Sequence, residues 1–162
     1  MSRNLDDLLN KFDQLKIRFQ GPIEDCLVIG ATDAKPHLFV SLMVHGDETG
    51  PLPAILDFVD ELQSRNNSFN GRVTIVLGNR KAALMARRFT EQDLNRVFLN
   101  EAPDSFEKTR ASEIMPLINN VDLLLDFHQT IQPCTRSFYI FGFDYKTYLW
   151  AQILGEAQVL VT

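Results

Sequence analysis

Short, nearly continuous apolar runs alternating with stripes of helical period are what most narrows the fold open to this chain. Residues 26–30, 37–44, 73–77 and 121–127 read as buried or half-buried strands, and 137–143 and 158–161 as two more. Leu5, Leu8, Leu9, Phe12 and Leu15 predict an amphipathic first helix, with Asn4 and Asp7 spaced as an N-cap and an acidic first turn. Leu52, Ile55, Leu56, Val59 and Leu62 predict a second, with Pro51 suited to its first turn. Asp104 and Glu107 form a box-like start for a third, whose face carries Ala111, Ile114, Leu117 and Ile118 and whose end Pro116 kinks or frays. Residues 147–156 predict a fourth. This order predicts one α/β domain over residues 1–162, a three-layer sandwich with a mostly parallel mixed sheet flanked by helices.

A chain of 162 residues, 45% of them hydrophobic, can bury one genuine core. No apolar run approaches the roughly 20 residues of a membrane span, and the first residues are acidic and polar where a leader is basic and then apolar, so a cytoplasmic protein is expected. Cys26 and Cys134 lack the spacing of a disulfide framework or a zinc ribbon and read as buried, reduced thiols. A net charge of −5 argues against a nucleic-acid partner, because phosphate binding needs clustered Lys and Arg in excess. One stretch runs against that balance. Arg80, Lys81, Arg87, Arg88 and Arg96 face only Glu91 and Asp93, in a long polar segment with little periodicity. Such long connections are commonly functional or disordered, and this one suits a small anion. Arg80, Lys81 and Arg87 by themselves read as a solvated loop face.

In α/β sheets, sites collect at the carboxyl ends of strands. Two histidines sit there. His45-Gly46-Asp47-Glu48 puts an imidazole and a carboxylate three positions apart on a tight loop, and His128 follows another apolar strand. N and O donors of this kind suit zinc, and three protein ligands leave a position open, as in catalytic rather than structural sites. Water at such an ion becomes acidic, with a pKa of roughly 7. A lone His-x-x-Glu is more often a solvated loop, so the second histidine matters. His37 begins a strand beside Pro36 and reads as an ordinary surface or packing residue.

Four motifs then occur in order: His45-Gly46-Asp47-Glu48, Gly78-Asn79-Arg80-Lys81-Ala82, Arg88-Phe89 continuing to Asp93-Leu94-Asn95-Arg96-Val97-Phe98, and Asp126-Phe127-His128-Gln129-Thr130. In order and approximate spacing they resemble the succinylglutamate desuccinylase/aspartoacylase family, which belongs with the zinc carboxypeptidases. The resemblance implies one zinc ion per chain held by His45, Glu48 and His128, with Arg88 polarising a scissile amide carbonyl. It also implies that Asn95 and Arg96 bind the carboxylate of a small, anionic N-acyl amino acid. Asp93 is expected to orient Arg or backbone groups. Asp126 is either a carboxylate supporting a ligand or a strand-end structural group.

The general acid/base of that family is a glutamate well beyond the second histidine, and no such motif occurs before Thr162. Glu156, inside a predicted helix, is a poor substitute. The expectation is a zinc-carboxypeptidase-like chain truncated at its C-terminal side, which binds but hardly turns over. Two alternatives stand beside this: a zinc carboxypeptidase acting on peptides or cell-wall fragments, and a non-catalytic zinc- or anion-binding module.

Overall fold

The strand candidates over residues 37–42 and 72–77 are apolar at nearly every position because these central strands are covered on both faces, alternate residues going to different sides. That over 123–127, at the edge of the sheet, alternates half-buried and exposed positions, with Leu124 exposed. The computed structural model describes residues 4–64, 69–99, 103–130, 138–141, 144–154 and 157–160. Two compact units divide it, Met1–Gln129 and Thr130–Thr162.

In chain order the first unit comprises helix α1 (Leu5–Phe19), strands β1 (Cys26–Ile29) and β2 (His37–Leu42), helix α2 (Leu52–Ser64) and strand β3 (Arg72–Leu77). Helices α3 (Arg80–Leu84), α4 (Leu94–Val97) and α5 (Phe106–Ile114), a 3-10 turn at Met115–Ile118 and strand β4 (Leu123–Phe127) complete it. The sheet runs β1-β3-β2-β4. β2 is parallel to both neighbours and β1 is antiparallel to β3. Leu27, Val40, Leu42, Val73, Ile75 and Leu77 pack with Leu8, Leu9 and Phe12 of α1 and Leu52, Leu56 and Val59 of α2. Cys26, Phe39 and Val76 point the other way, against Ile114, Leu117 and Ile118. Three layers follow: α1 and α2, the sheet, then α5 with its 3-10 extension. Phe12 has no exposed surface, so truncating it to Ala costs about 3–5 kcal/mol.

Register explains where a site can form. Leu42 at the end of β2 pairs with both Leu77 and Phe127, so three parallel strands finish at one level of one edge. The segments that follow them, beginning at Met43, Gly78 and His128, emerge side by side.

Several local expectations change. Asn4 is the N-cap of α1 with Asp6 and Asp7 in the first turn, as expected, but its side chain makes no cap bond; its carbonyl accepts from Leu8 N at 3.2 Å. Helix α2 begins at Leu52, after Pro51. The third helix is capped by Ser105, which accepts from Lys108 N at 3.1 Å, and not by the Asp104–Glu107 box. Glu107 is turned into the core instead. At the end of this helix the α-helical turns stop at Ile114 and the chain tightens into a 3-10 turn from Met115, with Pro116 in its first positions, where no N–H is needed. The long polar segment contains α3 and α4, both too short to show a period.

In the second unit, parallel strands β5 (Phe138–Phe141) and β6 (Ala157–Leu160) flank helix α6 (Tyr145–Leu154). Asp144 starts α6 by accepting from Thr147 N and Oγ1, each at 2.8 Å. The strands and helix expected there are present with ends shifted by one or two residues. Cys134 and Glu156 lie outside the described residues, whereas Cys26 is a free, fully buried thiol whose burial pushes its pKa up to about 11. No helix among the described residues is long and apolar enough to cross a membrane.

Candidate functional site

Beyond the ends of β2 and β3 the ladder continues for two more bonds, Gly78 N to Leu42 O and Asn79 N to Met43 O, both 2.8 Å. Met43 turns the chain with a positive φ of 55°, and His45 enters the edge of the sheet. At Gly46 a Cβ would lie 2.3 Å from Ala83 N and 2.5 Å from Arg87 O, so only glycine lets this loop lie against α3 and its following turn. Gly46 N donates to Arg88 O at 2.9 Å, tying the loop to the basic segment. Glu48 N donates to His45 O at 3.0 Å, a turn that brings the i and i+3 side chains together.

The three residues singled out as metal ligands converge. His45, Glu48 and His128 each offer one ligand atom within 4.8 Å of the others. Glu48 lies between the rings: Oε1 is 2.9 Å from His45 Nδ1 and Oε2 is 2.8 Å from His128 Nδ1. The ring centroids are 5.0 Å apart. Gln129 N donates to Glu48 Oε2 at 3.0 Å, and Gln129 Oε1 accepts from Gly50 N at 3.1 Å, clasping the loop from the β4 side. Burial raises the Glu48 pKa, but the Gln129 N–H and the two imidazoles outweigh it and hold the group below its usual value.

On their far sides both rings meet a carboxylate. His45 Nε2 is 3.1 Å from Asp93 Oδ1, and His128 Nε2 is 2.9 Å from Asp126 Oδ2. Asp126 also accepts from Ser41 Oγ at 2.6 Å. Asp93 doubles as the cap of α4, accepting from Asn95 N at 3.0 Å. Asp126 first, then Glu48, raises the His128 pKa to about 9. Both aspartates stay below their ordinary values because these partners overcome the cost of burial. An imidazole whose Nε2–H is held by a carboxylate presents an Nδ1 lone pair, the arrangement that fixes the tautomer of metal-binding histidines.

Arg88 reaches into the same group, with Nη2 2.8 Å from His45 Nε2 and 3.4 Å from Asp93 Oδ2, and Nη1 3.3 Å from Glu48 Oε1. Its side chain is nonetheless 47% exposed, so the guanidinium lies at the mouth of the cluster. Arg88 and Asp93 compete for one nitrogen: Nε2 either donates to the carboxylate or accepts from the guanidinium. Asn95 Nδ2 lies 3.4 Å from His128 Nε2, and Arg96 is exposed one residue further along α4. His37 stays outside, 2.9 Å from Thr74 Oγ1 in the strand layer, its pKa lowered first by burial.

Two residues that matter here were not anticipated from sequence. The sequence shows Gln129 only as part of a motif, and the spacing of Glu107 from Asp104 suggests a cap. Arg80 also departs from expectation: it pairs with Asp13 through both terminal nitrogens at 2.6 Å and with Asp25 at 2.9 Å, so it joins α1 to the start of β1 and is no solvated loop residue. Lys81 lies over the Phe106 ring at 4.5 Å, and Arg87 is exposed as expected.

A metallo-carboxypeptidase of Pseudomonas aeruginosa superposes with a TM-score of 0.67 over 99% of this chain and 52% of its own, at 18% identity, a likeness of fold alone. Succinylglutamate desuccinylase of Vibrio cholerae superposes with a TM-score of 0.60 at 27% identity, over 72% of this chain and 38% of its own. The architecture is thus that of the metallo-carboxypeptidase-like α/β proteins. Within that class the sequence is more specific. Residues 34–151, well over half the chain, match the succinylglutamate desuccinylase/aspartoacylase catalytic domain, and the chain belongs to that family. Succinylglutamate desuccinylase of Vibrio parahaemolyticus serotype O3:K6 is 24% identical over 131 residues, 81% of this chain and 36% of that protein. The chain spans roughly a third to a half of the length of these relatives.

Proposed function

We propose that His45, Glu48 and His128 hold one zinc ion, and that the whole protein uses it to hydrolyse the amide bond of a small, anionic N-acyl amino acid. The observation that carries this is the meeting of two imidazole Nδ1 atoms on the two oxygens of Glu48, at 2.9 and 2.8 Å, with a carboxylate behind each ring. Two nitrogens and an oxygen, all within 4.8 Å of one another, fit the donor set and compactness that a tetrahedral zinc site with one open position needs. Zinc supplies Lewis acidity toward a carbonyl and makes water a nucleophile near neutral pH.

The remaining roles belong to the chain. Arg88, permanently charged and at the mouth of the cluster, faces the substrate carbonyl and stabilises the negative charge that develops on its oxygen. Asn95 and Arg96, at consecutive positions of α4, take the substrate carboxylate. Asp93 and Asp126 hold the imidazoles in the tautomer that leaves Nδ1 free. The leaving amine must also receive a proton. Glu48, Asp93 and Asp126 are each engaged with a ring, so none of these three carboxylates is placed to give that proton.

Metal analysis of the purified protein tests the reading. One zinc per chain, lost on His45→Ala, supports it; no zinc in the wild type, even after reconstitution, overturns it. Release of amino acids from N-acyl amino acids supports the deacylase assignment. Release from peptides alone favours a carboxypeptidase, and zinc uptake without hydrolysis by the full-length protein favours a binding module.

A further inference from the structure

Glu107 lies in the first turn of α5 with no exposed surface, an acidic side chain where the local pattern calls for an apolar one. Its carboxylate is fully used. Oε1 accepts from Asn79 Nδ2 at 2.9 Å and from Thr90 N and Oγ1, both at 2.7 Å; Oε2 accepts from Glu91 N and Gln92 N, both at 3.2 Å. Three consecutive backbone N–H groups converge on one side chain, so residues 90–92 are wrapped around it. The clasp is reciprocal, because Glu91 Oε2 accepts from Phe106 N at 2.9 Å. Asn79, the fourth residue held, caps α3 through Ala82 N at 3.0 Å and is bonded to Met43 O, two residues before His45.

The wrapped segment has a chemical residue at each end. Arg88 stands two positions before Thr90, and Asp93 directly follows Gln92. Both reach His45 Nε2, at 2.8 and 3.1 Å, and Arg88 also reaches Glu48. We infer that Glu107 is the positioning residue of this site: by folding residues 90–92 around its carboxylate it sets where Arg88 and Asp93 meet His45 and Glu48, a role that presupposes the metal-centre reading above. Only a carboxylate can do this. All five groups it receives are donors, and a carboxamide of the same shape would turn an NH2 toward at least two of them. A carboxyl held at about 2 by the Thr90, Asn79 and Gln92 bonds, against the upward push of burial, agrees with an anion fixed by its surroundings.

The test compares Glu107→Gln with Leu8→Ala in the whole chain. Leu8→Ala removes a buried α1 side chain in the other helical layer and lowers stability without touching residues 88–93. Three quantities are read: zinc affinity by calorimetric titration, the visible absorption of the cobalt-substituted protein, and amide hydrogen exchange at residues 88–95 without metal. Glu107→Gln is expected to weaken zinc about ten- to hundredfold, the range for residues that orient ligands, to alter the cobalt spectrum, and to speed exchange at 88–95 more than elsewhere. Leu8→Ala should lower Tm and leave the site readings as in the wild type. If Glu107→Gln lowers Tm but matches Leu8→Ala in all three, Glu107 is only a core residue and the inference is overturned. Should the wild type bind no zinc, the metal reading fails by itself. Local exchange at 88–95 and the His45 ring resonances then decide: changed in Glu107→Gln they uphold the positioning role, unchanged they overturn it.

Discussion

Glu48 and Glu107 are both buried, at 9% and 0% exposure, yet the chain treats the two carboxylates in opposite ways. Glu107 is surrounded by donors from the chain itself, three of them backbone N–H groups that no ligand replaces. Glu48 has one backbone N–H, and its other close partners are two imidazoles and a guanidinium at 2.8–3.3 Å. Imidazole can surrender its proton and offer a lone pair, so a cation can replace the Glu48 contacts with ligand bonds, whereas nothing can enter around Glu107. A buried carboxylate satisfied by rigid donors organises its surroundings; one satisfied by titratable side chains is available for chemistry.

The contrast collapses most completely if substitution at Glu48 leaves the metal in place. Glu48→Ala is expected to abolish stoichiometric zinc while the protein stays folded, since two imidazoles alone make a poor site; elemental analysis with circular dichroism of the same sample checks both. Glu107 should differ by adding to its weaker effect on zinc a stability effect with a pH signature. Its folded pKa of about 2 lies below the ordinary 4.5, so its contribution is complete above about pH 4.5 and is lost as pH falls toward 2. That contribution is on the order of 3 kcal/mol. Glu107→Gln should therefore lower stability near neutrality and flatten its acid limb, measured by urea unfolding across that window. An unchanged acid limb would show that the five hydrogen bonds exert no net preference for the anion.

Removing the carboxylate behind a ring sharpens the same contrast at smaller scale. Asp93→Asn is expected to weaken zinc about tenfold to a hundredfold without large loss of stability. Asp126→Asn brings an opposing gain, because Asp126 is the main reason His128 titrates at about 9. Near pH 7 the substitution also removes a proton that zinc must displace, so its net cost should be smaller there than above pH 9. Equal losses at both pH values would mean that His128 is neutral in the metal-free protein.

β2 and β3 were legible because burial on both faces makes them apolar throughout, β4 because it stays apolar up to Asp126 although one of its faces is exposed, and β2 flanked by two parallel partners follows from strand–helix alternation. His45, Glu48 and His128 could be picked out because a strand end is a position defined by pattern. Glu107 could not: an acid three residues after Asp104 looks the same whether it reaches back to a cap or inward to Asn79, 28 positions away. The ion pairs of Arg80 escape pattern for the same reason, its partners Asp13 and Asp25 lying 67 and 55 positions upstream. Periodicity reports which face of an element is apolar; it carries no information about which polar group on another element meets a given side chain.

The Arg80 cluster supplies the smallest effect and the control for all the others. Its geometry is good, with both terminal nitrogens on Asp13 at 2.6 Å, but the Asp13 side chain is 39% exposed. Water and salt screen such a pair, so Asp13→Asn should cost only about 0.5–1 kcal/mol, less at high ionic strength. Because Asp25 still holds Arg80 at 2.9 Å, the guanidinium is not left unpaired in the variant. Zinc stoichiometry and affinity should match the wild type, as measured by the same titration. A loss of affinity here would mean that α1 and the metal edge are mechanically linked through Arg80 and α3, and the assignment of site geometry to Glu107 alone would then be too narrow.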